Sequence, residues 1–297
     1  MFTNQPHLEI TGFLHCLKWK SYSQLRSEKV MLILVSGQAL LKIVNKYILT
    51  TVNFELERGN IMLDESTIKI VKSTAPVLQE HSQEIGERFY ELLFSRVPDL
   101  YNMFNQTNQK SGVQQGALAY GVYLAGANID NLEAIETMVK RVTEKHRALG
   151  VQAEQYPIVG EALLEAVKDV LGDAATNEVI EAWEKAYQAI ADIFIDMEKK
   201  LYQQTEQQPG GWVGFRSFLV DQKVKESDVI TSFYLKPEDG KSIPAYKPGQ
   251  YLTIQADIKG EKYFHMRHYS LSDAPNNGYY RISVKREDPQ NGYPAGI

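Results

Sequence analysis

The hydrophobic repeat changes period once along this chain, and that change requires two unlike folding units in series. From residue 64 to about residue 204, apolar residues recur at three- and four-residue spacing, the repeat of helices with one buried face. A polar run follows, QQTEQQPGG at residues 203–211, whose Pro-Gly-Gly end reads as a linker or turn. Beyond it the repeat drops to two. In YLTIQADI, Leu252, Ile254, Ala256 and Ile258 alternate with Tyr251, Thr253, Gln255 and Asp257. YRISVKR alternates in the same way and VITSFYLK is a third strand candidate, while Pro237, Gly240, Pro244, Pro248-Gly249 and Asn276-Asn277-Gly278 punctuate them. The expected architecture is multidomain: an all-α unit followed by a small antiparallel β-barrel.

Within the helical unit, Asp64 suits the cap of a first helix whose apolar face is Ile68, Val71, Ala75 and Leu78. Pro76 and Pro98 suit helix starts or breaks. Residues 113–128 are rich in Ala, Leu and Gly, which permits a close helix approach. Two long amphipathic helices are expected at 154–171 and 174–202.

A length of 297 residues suits about two domains, and 43% hydrophobic with 23% charged residues suits a globular protein with a substantial core. A formal net charge of −5 gives no reason to expect nucleic acid as a partner. Cys16 is the single cysteine, so no disulfide framework or Cys-rich metal site can form within one chain, and a reducing cytoplasm fits. The first 61 residues read as an extension of unknown fold. Their apolar stretch at 30–52 is interrupted by Lys42 and Lys46, which makes it a poor membrane span, so no membrane is expected. Met62, at once followed by a good helix start, is a candidate native first residue.

Candidate chemistry centres on His146. The face Ile135, Met138, Val139, Val142, His146 and Leu149 has helical spacing and turns the imidazole inward. An inward histidine is more often a hydrogen-bonded core residue than a ligand, yet neutral imidazole is also a standard axial ligand of haem iron. Tyr90 and Gln114, upstream, suit donors to an iron-bound ligand, and Phe104 suits either the core or a porphyrin face. Tyr156 and Glu198, on adjacent helices, could meet behind the imidazole, although a glutamate beside Lys199 and Lys200 is ordinarily a surface residue.

The segments FYELLFSRVPDLYNMFNQTNQKSGVQQGAL, VTEKHRALGVQAEQYPIVGEALL and AWEKAYQAIADIFIDMEKKLY resemble the globin domain of flavohaemoglobins. GGWVGFRSFLV, YKPGQYLTI, MRHYSLSDAP and YRISVKRE resemble the ferredoxin-reductase-type FAD barrel that follows it. The resemblance runs from Met62 to Ile297 and implies a globin haem domain at 62–202, a linker at 203–211 and an FAD barrel at 212–297. It further implies a nitric oxide dioxygenase, in which NO and O2 become nitrate with electrons passing from NAD(P)H through FAD to haem b. Under it His146 is the iron ligand, Tyr90 and Gln114 stabilise bound oxygen, and Leu118 and Phe104 pack the distal side and the porphyrin. Tyr156 and Glu198 hydrogen-bond the imidazole, and Lys145 tunes its redox potential. Arg267, Tyr269 and Ser270, as Arg-x-Tyr-Ser, and Tyr251, in Pro-Gly-Gln-Tyr, are the flavin positions.

The family continues past PAGI with a segment completing the flavin phosphate site and then a Rossmann-like NAD(P)H domain. This sequence has no such segment and no GxGxxG run, so a C-terminally incomplete barrel without NAD(P)H-driven turnover is expected. Two other readings are an O2 or NO binder or sensor without turnover, and a helical scaffold without haem. Oligomeric state is not legible.

Overall fold

A computed structural model describes residues 29–35, 63–104, 113–275 and 277–289. The readings placed on most of the leading segment, on Met62 and on PAGI lie outside the described residues. Among the described residues six α-helices belong to the first unit: α1 (Glu65–Glu80), α2 (Ser82–Arg96), α3 (Val113–Ala127), α4 (Glu136–Leu149), α5 (Tyr156–Leu171) and α6 (Asn177–Glu206). Asp64 caps α1 as its sequence implies, its Oδ1 accepting from the Thr67 amide at 2.8 Å. Pro76 does not break α1 but sits inside it. It forfeits the bond to the Lys72 carbonyl, but its neighbours Ala75 and Leu78 are buried in the main core, and that packing carries the helix through to Glu80. Pro98 opens a short 3-10 helix, Pro98–Asn102, where its missing amide costs nothing.

The close approach expected in residues 113–128 is present, and a second one occurs on α5. A Cβ on Gly126 of α3 would lie 2.4 Å from the Trp183 ring of α6, whose Nε1 donates to Thr74 of α1 at 2.8 Å. A Cβ on Gly160 of α5 would lie 2.4 Å from the Tyr187 ring of α6. That ring therefore closes over α5, and its hydroxyl donates to the Tyr156 carbonyl at 2.6 Å. None of the described helices is long and apolar enough to cross a membrane.

Helix α6 runs to Glu206, so the polar run begins inside the helix rather than after it. The reversal is made by Pro-Gly-Gly: Gly210 has a φ of 76°, and a Cβ on Gly211 would lie 2.0 Å from the Thr205 carbonyl.

Among the described residues the second unit is one six-stranded antiparallel sheet. Its strands are β2 (Arg216–Lys225), β3 (Ile230–Pro237), β4 (Tyr251–Ala256), β5 (His265–Ser270) and β6 (Tyr280–Lys285), joined by β1 (Lys29–Val35) from before the helices. The order is β5-β4-β1-β2-β3-β6. Its two end strands come together at the isolated Leu271–Ile282 bridge, so the ladder does not close into a full barrel. The core on its concave side is Leu32, Phe218, Leu235, Leu252, Ile254, Tyr280 and Ile282. Alternation holds for Leu252 and Ile254, yet Thr253 between them is also fully buried, because α4 packs on the opposite face of β4. The leading segment is thus not wholly an appendage. Part of its apolar stretch is a central strand, a use that a hydropathy reading cannot distinguish from an unused run.

Candidate functional site

His146 lies in the last turn of α4. Gly150, with a φ of 78°, ends that helix, and the Val151 amide caps the His146 carbonyl at 3.0 Å. The imidazole is fixed from behind. Its Nδ1 is 2.7 Å from Glu198 Oε1 and 3.1 Å from the Tyr156 hydroxyl, and that hydroxyl donates to the same Oε1 at 2.7 Å. Glu198 is 3% exposed, against the usual behaviour of a glutamate beside two lysines. The signal that could have placed it is helical spacing: it lies one turn after Phe194, whose ring is 5.9 Å from the imidazole.

Tyr156 is set at the start of α5 by a short 3-10 turn, Ala153–Gln155, closed by reciprocal bonds between Gln152 and Gln155. Burial, and then the Glu198 charge, push the Tyr156 phenol far above its ordinary range, so it stays a proton donor to the carboxylate. With Nδ1–H directed at Glu198, the proton-free nitrogen is Nε2, the lone pair a metal would take. The imidazole side chain is 31% exposed, less buried than its stripe implied.

The other predicted positions fall in two groups. Tyr90, 6% exposed, packs edge-on to Phe104 at 5.5 Å and stacks with Phe94, and Leu118 of α3 borders the same cluster. Gln114 is half-buried in the first turn of α3, next to Gln115, which packs against Gly86 of α2. On the sheet, Leu252 pairs with Tyr269 and Ile254 with Arg267, whereas Tyr251 pairs with Ser270. Strand alternation therefore sets Arg267 and Tyr269 on one face and Tyr251 and Ser270 on the other.

The two units meet beside His146. Lys145 Nζ contacts His268 Nε2, and His268 Nδ1 is 2.9 Å from Thr253 Oγ1. Tyr251 packs on Ala148 and edge-on to His268 at 5.2 Å. Sequence reasoning missed His268, although alternation puts it on the Thr253 face. A lysine donating to Nε2 requires the Nδ1–H tautomer, which donates to Thr253. Burial pushes Lys145 down to about 8. Burial, then Lys145 and Arg267, push His268 from its ordinary 6.5 down to about 3.

The unfolded chain protonates His268 below about 6.5, and the folded chain only near 3. This neutral imidazole therefore favours folding above that window, and the contribution is lost as pH falls through it. Urea titrations from pH 6.5 to 4 are expected to fall less steeply for His268→Gln than for the parent chain. The difference is at most ~1.4 kcal/mol per pH unit. Parallel slopes would assign the acid sensitivity elsewhere.

A globin family model matches residues 87–194. The flavohaemoproteins of Halalkalibacterium halodurans and Bacillus thuringiensis are 56% and 59% identical over 235 and 226 residues, covering 79% and 76% of this chain. The chain belongs to the flavohaemoglobin family. It spans 57% and 56% of the length of those two relatives. The crystal structure of the Malassezia yamatoensis flavohaemoglobin, with bound FAD and haem, superposes with a TM-score of 0.67 at 27% identity, covering 79% of this chain and 62% of that one. The helical unit is accordingly a globin fold and the sheet is the reductase part of a flavohaemoglobin.

The residues present fit a haem. Among the described residues no three His, Cys, Asp or Glu side chains gather as a metal site. A lone imidazole with a carboxylate behind it is sufficient where a macrocycle supplies the other ligands. They also fit an anionic flavin cofactor. The half-buried Arg267 guanidinium bonds the Met266 carbonyl at 2.9 Å and has no carboxylate partner among the described residues. Burial alone lowers its pKa, a cost that a phosphate would offset.

Proposed function

We propose that this chain carries the haem half and part of the flavin half of a nitric oxide dioxygenase, converting NO and O2 to nitrate. The observation that carries the proposal is the Glu198–Tyr156 clamp on His146 Nδ1. A carrier of O2 needs only an imidazole, whereas a buried carboxylate makes that imidazole more electron-rich and favours oxygen chemistry.

When bound on His146, haem b supplies the redox iron for NO + O2 + e⁻ → NO3⁻, which consumes one electron per nitrate. The chain's own groups set the conditions. Glu198 accepts the hydrogen bond from Nδ1 and fixes the plane of the ring. Tyr156 keeps its proton and occupies the remaining lone-pair direction of Oε1. Tyr90 and Gln114 supply a phenolic and an amide donor on the distal side, where negative charge develops on oxygen. Phe104 and Leu118 exclude water there. On the reductase side Arg267 would hold the FAD pyrophosphate and Tyr269, on the same face, the isoalloxazine, while Tyr251 and Ser270 lie on the face turned to the globin unit. Electrons from NAD(P)H would then reach the haem across the Tyr251–His268–Lys145 junction.

The test is single turnover. The full chain, reconstituted with haemin, reduced and equilibrated with O2, is mixed with NO. Nitrate close to one per haem is expected, and NO retained on the protein without nitrate would make it a binder instead.

A further inference from the structure

We propose that Lys29–Val35 is a donated strand: an N-terminal segment that crosses the whole helical unit in sequence to fill a strand-wide seat in the reductase sheet. The seat lies between β2 and β4. On one side Lys29, Val30, Met31 and Leu32 pair with Leu219, Phe218, Ser217 and Arg216, and on the other Met31 to Val35 pair with Gln255 to Tyr251. Without this strand the sheet is two pieces, the β4–β5 hairpin and the β2–β3–β6 group, joined at the Leu271–Ile282 bridge. Each piece would expose a row of unpaired backbone donors and acceptors, which must be satisfied wherever it is buried.

Three observations fix the occupant as this segment. Leu32 is fully buried and shares the sheet core with Phe218, Leu252 and Tyr280. The Trp212 indole donates to the Leu32 carbonyl at 3.1 Å, across 180 residues of sequence. Helix α4 packs against β1, so the strand has the sheet core on one face and a helix on the other. That double cover suits an unbroken apolar run, and KVMLILV is one after its first residue. The donated strand also joins the hairpin that carries Tyr251, Arg267, Tyr269 and Ser270 to the rest of the sheet. Lys29–Val35, outside the family resemblance, thereby acquires a role: it holds the flavin-side residues in register. This inference rests on the fold and needs no haem.

Two experiments on the full chain test it. In a Cys16→Ser background, Met31→Cys with Ser217→Cys is oxidised mildly, beside the control Met31→Cys with Lys223→Cys. The proposal expects an intramolecular disulfide in the first pair and none in the control. No disulfide in the first pair, equal yields in both, or a disulfide joining two molecules would overturn it, the last by making the donor a second copy. In Leu32→Asp, amides at 216–219 and 251–255 are expected to exchange on the order of a hundredfold faster, with α6 amides unchanged. Unchanged protection at those amides overturns the proposal. If protection is lost everywhere, the cross-linking result decides.

Discussion

Alanine in place of His146 is expected to eliminate the Soret band of the haem-reconstituted chain. The imidazole is the iron ligand in this reading, and the phenol beside it cannot take its place, because Tyr156 is locked as a proton donor to Glu198. The fold should survive. The ring is 31% exposed, so little packing is lost. The larger cost is to Glu198, a buried carboxylate that keeps Tyr156 but loses one partner, about 1–3 kcal/mol. That is a fraction of the stability of an ordinary domain, about 5–15 kcal/mol. Far-ultraviolet circular dichroism should therefore show unchanged helix where absorbance shows no haem. A Soret band of parental intensity in His146→Ala would move the ligand to another residue.

Glutamine in place of Glu198 is expected to slow nitrate formation about 10- to 100-fold while leaving haem bound. The substitution keeps the shape and an oxygen acceptor for both Nδ1–H and the Tyr156 hydroxyl, but removes the negative charge 2.7 Å from Nδ1. A less electron-rich imidazole stabilises ferric iron less, so the reduction potential should rise together with the loss of rate. Potential distinguishes this from simple misfolding, which would lower haem occupancy without shifting the potential of what remains. Rate and potential both equal to the parent's would show that the carboxylate only anchors the ring, and would favour the binder reading.

Much of this site was legible before any coordinates. The repeat along α4 placed His146 on a helix face, and Asp64 was read as a cap from its position alone. Resemblance names Tyr156 and Glu198, and helical spacing after Phe194 puts Glu198 on the inward side of its helix, but only the tertiary contacts show it buried against His146 and Tyr156 despite Lys199 and Lys200. Pro76 departs from its local preference because the tertiary packing of Ala75 and Leu78 around it outweighs a single breaker. The run at 30–35 was legible as apolar, and nothing near it in sequence could reveal its use, since its pairing partners lie beyond residue 215.

The sequence by itself determined the two periods, the turn between them, the helix ends and the residue types available for chemistry. These depend on neighbours within a turn or two, whose preferences act locally. Tertiary structure alone decided which carboxylate stands behind His146, that His268 meets Lys145 where the two units touch, and which strand lies between β2 and β4. Each of those joins groups more than 50 residues apart, and such pairings are selected by the shape and burial of whole elements rather than by any local pattern.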